Sequence, residues 1–139
     1  RGAIAPVADE TEVVDLRVTG AIPRELDGTL LRNGPNPPGG RFEGNDMLSW
    51  WPEAAMLHAI AFDDGRATGY RNRWARTQRW AAVHAPEQAP HLPDTNPNVS
   101  VLQHAGELLA LSEGGAPFAI TAGLDSLGAP ARHAGFGGG

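Results

Sequence analysis

The chain is 139 residues long and carries a net charge of −5 with no Cys, which excludes disulfides, thiol catalysis and thiolate metal sites. Leu, Val, Ile and Phe total only 28, against 18 Gly and 12 Pro; such a composition suits short strands, and a piece of a larger body whose core is completed elsewhere. The mild acidity and the lack of any long basic run point away from nucleic acid as a partner, and no apolar stretch reaches the ~18 residues that a membrane helix needs.

Residues 1–11 are a polar lead-in. Val13 to Val18 alternates as a strand. Ile22-Pro23 opens a turn or short helical segment. Gly28 to Arg32 reads as a second strand, stopped by Asn33-Gly34-Pro35. There Asn-Gly supplies the positive φ of a tight turn and the prolines that follow block further pairing. Gly39-Gly40 is a loop, and Ser49-Trp50-Trp51-Pro52 is aromatic and Pro-broken. Met56 to Phe62 is a clear strand, Asp63-Asp64-Gly65 its turn and Ala67 to Arg76 its return, a strong hairpin signal. On that return, Tyr70, Asn72 and Trp74 share one face and Arg71, Arg73 and Ala75 the other. Residues 84–98 hold four prolines and form a connecting loop. A second hairpin runs from Asn98 to His104 and from Glu107 to Ser112 around Ala105-Gly106. Phe118-Ala119-Ile120 adds a short strand, and Ala122 to Gly128 reads as a loop with one helical turn. Residues 129–139 are a Gly-rich, truncated tail. With Arg1 in place of Met at the start, both ends are expected to be cuts in a longer protein. Successive hairpins of this kind suit an all-β sandwich, barrel or propeller, with room for about three propeller blades at most.

Five stretches, in order, carry a resemblance. They are Gly20-Ala21-Ile22-Pro23-Arg24-Glu25-Leu26-Asp27-Gly28, the turn Leu31 to Pro37, Met56-Leu57-His58-Ala59-Ile60, Tyr70 to Thr77, and Asn98-Val99 with Ala110-Leu111-Ser112-Glu113-Gly114-Gly115-Ala116-Pro117. Together they resemble the amino-terminal part of the carotenoid cleavage oxygenase family, from about residue 10 to residue 128. The resemblance implies an all-β chain that forms the first blades of a seven-bladed β-propeller and is incomplete in isolation. It implies a non-haem Fe(II) centre held by four His from different blades. It also implies O2-dependent cleavage of a conjugated C=C bond in a carotenoid, apocarotenoid or stilbene to give two carbonyl products. The partners are then an apolar polyene or stilbene and O2. The expected location is the cytoplasm, with peripheral membrane contact in the complete protein.

By the same resemblance Glu113 takes the place of a glutamate that hydrogen-bonds the far nitrogen of a His ligand, fixing its tautomer. No residue matches an iron ligand. Leu124-Asp125-Ser126-Leu127-Gly128 matches the element that precedes the first one, so all four ligands are expected beyond residue 139. Of the five His, His58 reads as packed or hydrogen-bonded and His84 and His91 as exposed; His104 sits by a hairpin turn and His133 in the tail. The family's usual Gly-Asp-Gly before Met56 is replaced here, with Glu53 and Ala55 where Gly allows positive φ. That departure motivates a second reading, a non-catalytic propeller piece binding a partner or an apolar ligand. A third is an unrelated all-β module whose aromatics bind a glycan. The Arg32-Asn33 and Asn72-Arg73 pairs read as ties from side chains to backbone carbonyls rather than as an anion site, and Trp50, Trp51, Trp74 and Trp80 as packing residues.

Overall fold

The computed structural model describes residues 5–38 and 52–130. The described strands are β1 (Glu12–Val14), β2 (Gly28–Pro35), β3 (Ala55–Asp63), β4 (Arg66–Trp74), β5 (Ser100–His104), β6 (Glu107–Leu111), β7 (Phe118–Ile120) and β8 (Ser126–Gly128). Helix α1 (Gln78–His84) and a 3₁₀ turn (Ala89–His91) lie between β4 and β5. The strands form two four-stranded sheets, in the orders β1-β4-β3-β2 and β5-β6-β7-β8. Every pairing is antiparallel.

Both long hairpins close through two-residue turns in which each central residue has positive φ. Asp64 (φ 40°) and Gly65 (φ 75°) join Asp63 to its partner Arg66, and Ala105 (φ 49°) and Gly106 (φ 86°) join His104 to Glu107. This geometry matches the right-handed twist of the strands.

The core lies between the sheets. Ala55, Leu57 and Ala59, alternate residues of β3, pack on Ala110, Phe118, Ile120 and Leu124. Burying Phe118, 1% exposed, contributes about 1.5–3 kcal/mol. The other face of β3 turns Met56 towards Ala54 and Trp74, with Val7 and Trp80 packed over them.

Four details differ from the sequence reading. The strand expected over Val13–Val18 spans only Glu12–Val14: Asp15 adopts φ 52° and leaves the extended conformation, although the Asp15 and Leu16 N–H groups still donate to Thr68 O and Ala67 O of β4. The stop at Asn33-Gly34-Pro35 does not occur: these residues pair with Leu57, Met56 and Ala55, and Gly34 has no positive φ. β2 is an edge strand, where the missing N–H of Pro35 is tolerated. Ala122 to Gly128 contains strand β8 instead of a helical turn, paired with β7. Helix α1 has no counterpart in the sequence reading. Ser49–Trp51, His133 and the tail from residue 131 lie outside the described residues.

Candidate functional site

One end of the two sheets gathers the carboxyl ends of β2, β4 and β6 and the amino ends of β3, β5 and β7. Glu113 stands there, two residues beyond β6, exposed. Among the described residues its carboxylate makes no bond, and within them only its backbone sets its place. That backbone is fastened to the loop before β5. The Val99 N–H donates to Leu111 O at 3.0 Å, and the Thr95 hydroxyl donates to Ala116 O at 2.8 Å. Gly115 lies so close that a Cβ on it would stand 2.6 Å from Thr95 Oγ1.

The loop before β5 is in turn tied to the first sheet by three asparagines. Asn33 Nδ2 donates to Pro97 O (2.6 Å) and Ser100 O (3.0 Å). Asn98, 3% exposed, donates to Glu53 O at 2.8 Å, and Asn96 Nδ2 to Glu53 O at 3.1 Å. Asn33 therefore works as the structural tie that its sequence context suggests, and so do Asn72 on Asp9 O (2.9 Å) and Arg73 on Thr11 O (3.3 Å); Arg71, outside those pairs, ties Gly123 O in the same way (3.0 Å). Thr95 and Asn96 were not legible as site residues. The only signal was Asn96-Pro97-Asn98, a loop spelling in which short amides bond nearby backbone.

Arg71, Arg73 and Arg76 are engaged with the amino-terminal segment. Glu12 meets Arg71 at 2.6 Å and Arg73 at 3.3 Å, and Glu10 meets Arg76 at 2.8 Å. The hydrogen bond from Arg71 holds the Glu12 carboxyl below its usual range, and Glu12 raises Arg71 in return. Arg76 lies 4.1 Å over the Trp80 ring, a cation–π contact.

His58 Nδ1 lies 2.9 Å from the Tyr70 hydroxyl. Burial, then the Arg32 charge, holds its pKa down; burial pushes Tyr70 up. His84 stacks on Trp80 with centroids 5.5 Å apart. His91 and His104 are exposed. Among the described residues no group of three or more His, Asp or Glu side chains could hold a metal ion. A cleft of about 180 Å³, lined by Thr29, Ala59, Ala61, Gly69 and Arg71 among others, opens beside β4; Arg71 there is already paired with Glu12. Glu53 and Ala55 have no positive φ, so their departure from glycine strains nothing. Among the described residues no helix is long and apolar enough to cross a membrane.

Two four-stranded antiparallel sheets that share one core, each with a two-residue hairpin (β3–β4 and β5–β6), have the form of β-propeller blades. The family model described as retinal pigment epithelial membrane protein matches residues 4–130, and the chain belongs to that family, the carotenoid cleavage oxygenases. It is 44% identical over 134 residues to a carotenoid cleavage oxygenase of Mycobacterium tuberculosis, covering 91% of this chain and 26% of that one. The lignostilbene dioxygenase of Pseudomonas brassicacearum superposes with a TM-score of 0.70 at 27% identity, over 90% of this chain and 28% of that one. A cobalt-substituted apocarotenoid oxygenase of Synechocystis does so with a TM-score of 0.68 at 26% identity, over 90% and 30%. The chain thus spans about a quarter of the length of the curated relatives it matches.

Proposed function

We propose that this chain serves in a dioxygenase that cleaves a conjugated C=C bond of a carotenoid, apocarotenoid or stilbene. The C=C bond and the O–O bond both break, and each alkene carbon keeps one oxygen as a carbonyl. Substrate and O2 supply all the atoms and electrons, so no further reductant enters. The observation that carries the reading is the 44% identity to a carotenoid cleavage oxygenase over nearly the whole chain. The stilbene alternative rests on the superposition with a lignostilbene dioxygenase.

Within this reading, non-haem iron supplies O2 chemistry from His ligands beyond residue 139. The described residues provide scaffold and one carboxylate. Glu113 accepts the N–H of an imidazole contributed from outside this chain, fixing which ring nitrogen is bare. Its exposure at the end of β6, free of bonds among the described residues, supports that role. The proposed substrates are apolar, and a peripheral contact with the membrane that holds them belongs to this reading.

The test uses the product of the complete reading frame that contains these residues. Iron-loaded protein is incubated with an apocarotenal and, separately, with a hydroxylated stilbene, and the aldehydes are separated by chromatography. Paired aldehyde products from either substrate are expected. A folded, iron-loaded protein that cleaves neither overturns the reading.

A further inference from the structure

Glu113 has no side-chain partner among the described residues, yet a carboxylate that orients an imidazole has to sit within a few tenths of an ångström of its place. Something must fix its loop. Two contacts on the far side of the loop do so. The Thr95 hydroxyl donates to Ala116 O at 2.8 Å, and Gly115 lets the backbone lie against the same hydroxyl, where a Cβ would come within 2.6 Å of Oγ1. A hydrogen bond and a close steric contact from one side chain constrain both the distance and the tilt of the loop. Thr95 is itself held in place, since its neighbours Asn96 and Asn98 hang from Glu53 O and Asn33 holds Pro97 O. A continuous path of bonds therefore runs from the end of the first sheet, through Thr95, to the loop that carries Glu113.

We propose that Thr95 is the positioning residue for Glu113, with Gly115 as the surface it bears on. The inference rests on the role proposed above for Glu113. Thr95 touches no substrate; it acts only through the loop.

The experiment uses the complete protein and four variants: Glu113→Gln, Thr95→Val, Thr95→Ser and the double variant Thr95→Val/Glu113→Gln. Valine keeps the shape of threonine and removes the hydroxyl; serine keeps the hydroxyl. Thr95→Val is expected to lower kcat about ten- to a hundredfold, as a misplaced group does, with KM within about twofold, and Thr95→Ser to restore kcat. The double variant is expected to fall no lower than Glu113→Gln alone, because both lesions reach the same group. Hydrogen exchange on the metal-free protein gives a readout independent of turnover: amides 113–116 exchange faster in Thr95→Val and not in Thr95→Ser.

If Glu113→Gln leaves kcat unchanged, the role of Glu113 fails and takes this inference with it. If Glu113→Gln is impaired while Thr95→Val alters neither kcat nor exchange at 113–116, the role of Glu113 stands and the positioning role is overturned. Losses that multiply in the double variant overturn it as well, since Thr95 would then act elsewhere. Should Thr95→Val fail to fold, Gly115→Ala disturbs the same contact from the other side and is read by the same two measurements.

Discussion

Asn72 and Thr11 exchange hydrogen bonds twice over. The Thr11 N–H donates to Asn72 Oδ1 at 2.6 Å, and the Asn72 N–H donates to Thr11 O at 3.1 Å. The Asn72 amide also reaches Asp9 O at 2.9 Å. A fully buried side chain thus stands in for a strand partner and holds the amino-terminal segment along β4. Replacing Asn72 with Ala strands a backbone donor and acceptor and leaves a void. A loss of about 2–3 kcal/mol is expected in urea unfolding. A loss under about 0.5 kcal/mol would show that strand pairing and ion pairs hold the segment without the Asn72 side chain.

Ala105 occupies a left-handed turn position at φ 49°, where a Cβ is unfavourable by about 1 kcal/mol. Asn tolerates this conformation better and suits the first position of such a turn. Ala105→Asn is expected to stabilise the protein by roughly 0.5–1 kcal/mol, seen as a higher urea midpoint with an unchanged slope. A lower midpoint would contradict the turn geometry.

Glu12 links Arg71 and Arg73 to β1. Its folded-state pKa is lowered, chiefly by the hydrogen bond from Arg71. Its contribution is therefore present above the ordinary carboxylate value and lost as the pH falls through the depressed one. Hydrogen exchange in residues 11–14 is expected to quicken as the pH drops below about 4, after correction for intrinsic rates. In Glu12→Gln that step should vanish; a step of the same size in the variant would place its origin elsewhere.

His58 titrates with the same sign for a different reason. Burial and the Arg32 charge depress its pKa, so the folded state resists a proton that the unfolded chain takes up. Stability is fully present above about pH 6.5 and declines as the pH falls towards the folded value. With Nδ1 bare, Tyr70 donates to it, and its raised pKa keeps that proton in place. The urea midpoint of the parent is expected to drop between about pH 6.5 and pH 5, and that of His58→Gln to change less. Parallel profiles would remove His58 from the account.

The hairpins were legible because Asp64-Gly65 and Ala105-Gly106 sit between apolar runs of strand length, a local signal that tertiary structure had no reason to override. Asn33-Gly34-Pro35 carried the same turn spelling and misled, since an edge strand tolerates Pro and the Asn33 amide was needed across the inter-sheet junction. Asp15 left the extended conformation through a single positive φ that alternation does not encode. Helix α1 is seven residues long and buries only Ala81, too little for a 3.6-residue period to show. Glu113 was placed by resemblance, not by pattern. The contacts that fix its loop involve Thr95 and Gly115, 20 residues apart in sequence, and only the fold brings them together.

The most direct test of the central claim is oxygen labelling. The complete, iron-loaded protein is given a cleavable polyene or stilbene under 18O2, and both carbonyl products are trapped rapidly and weighed by mass spectrometry. The account predicts one 18O atom in each product. Label in only one product, or in neither, would contradict a dioxygenase.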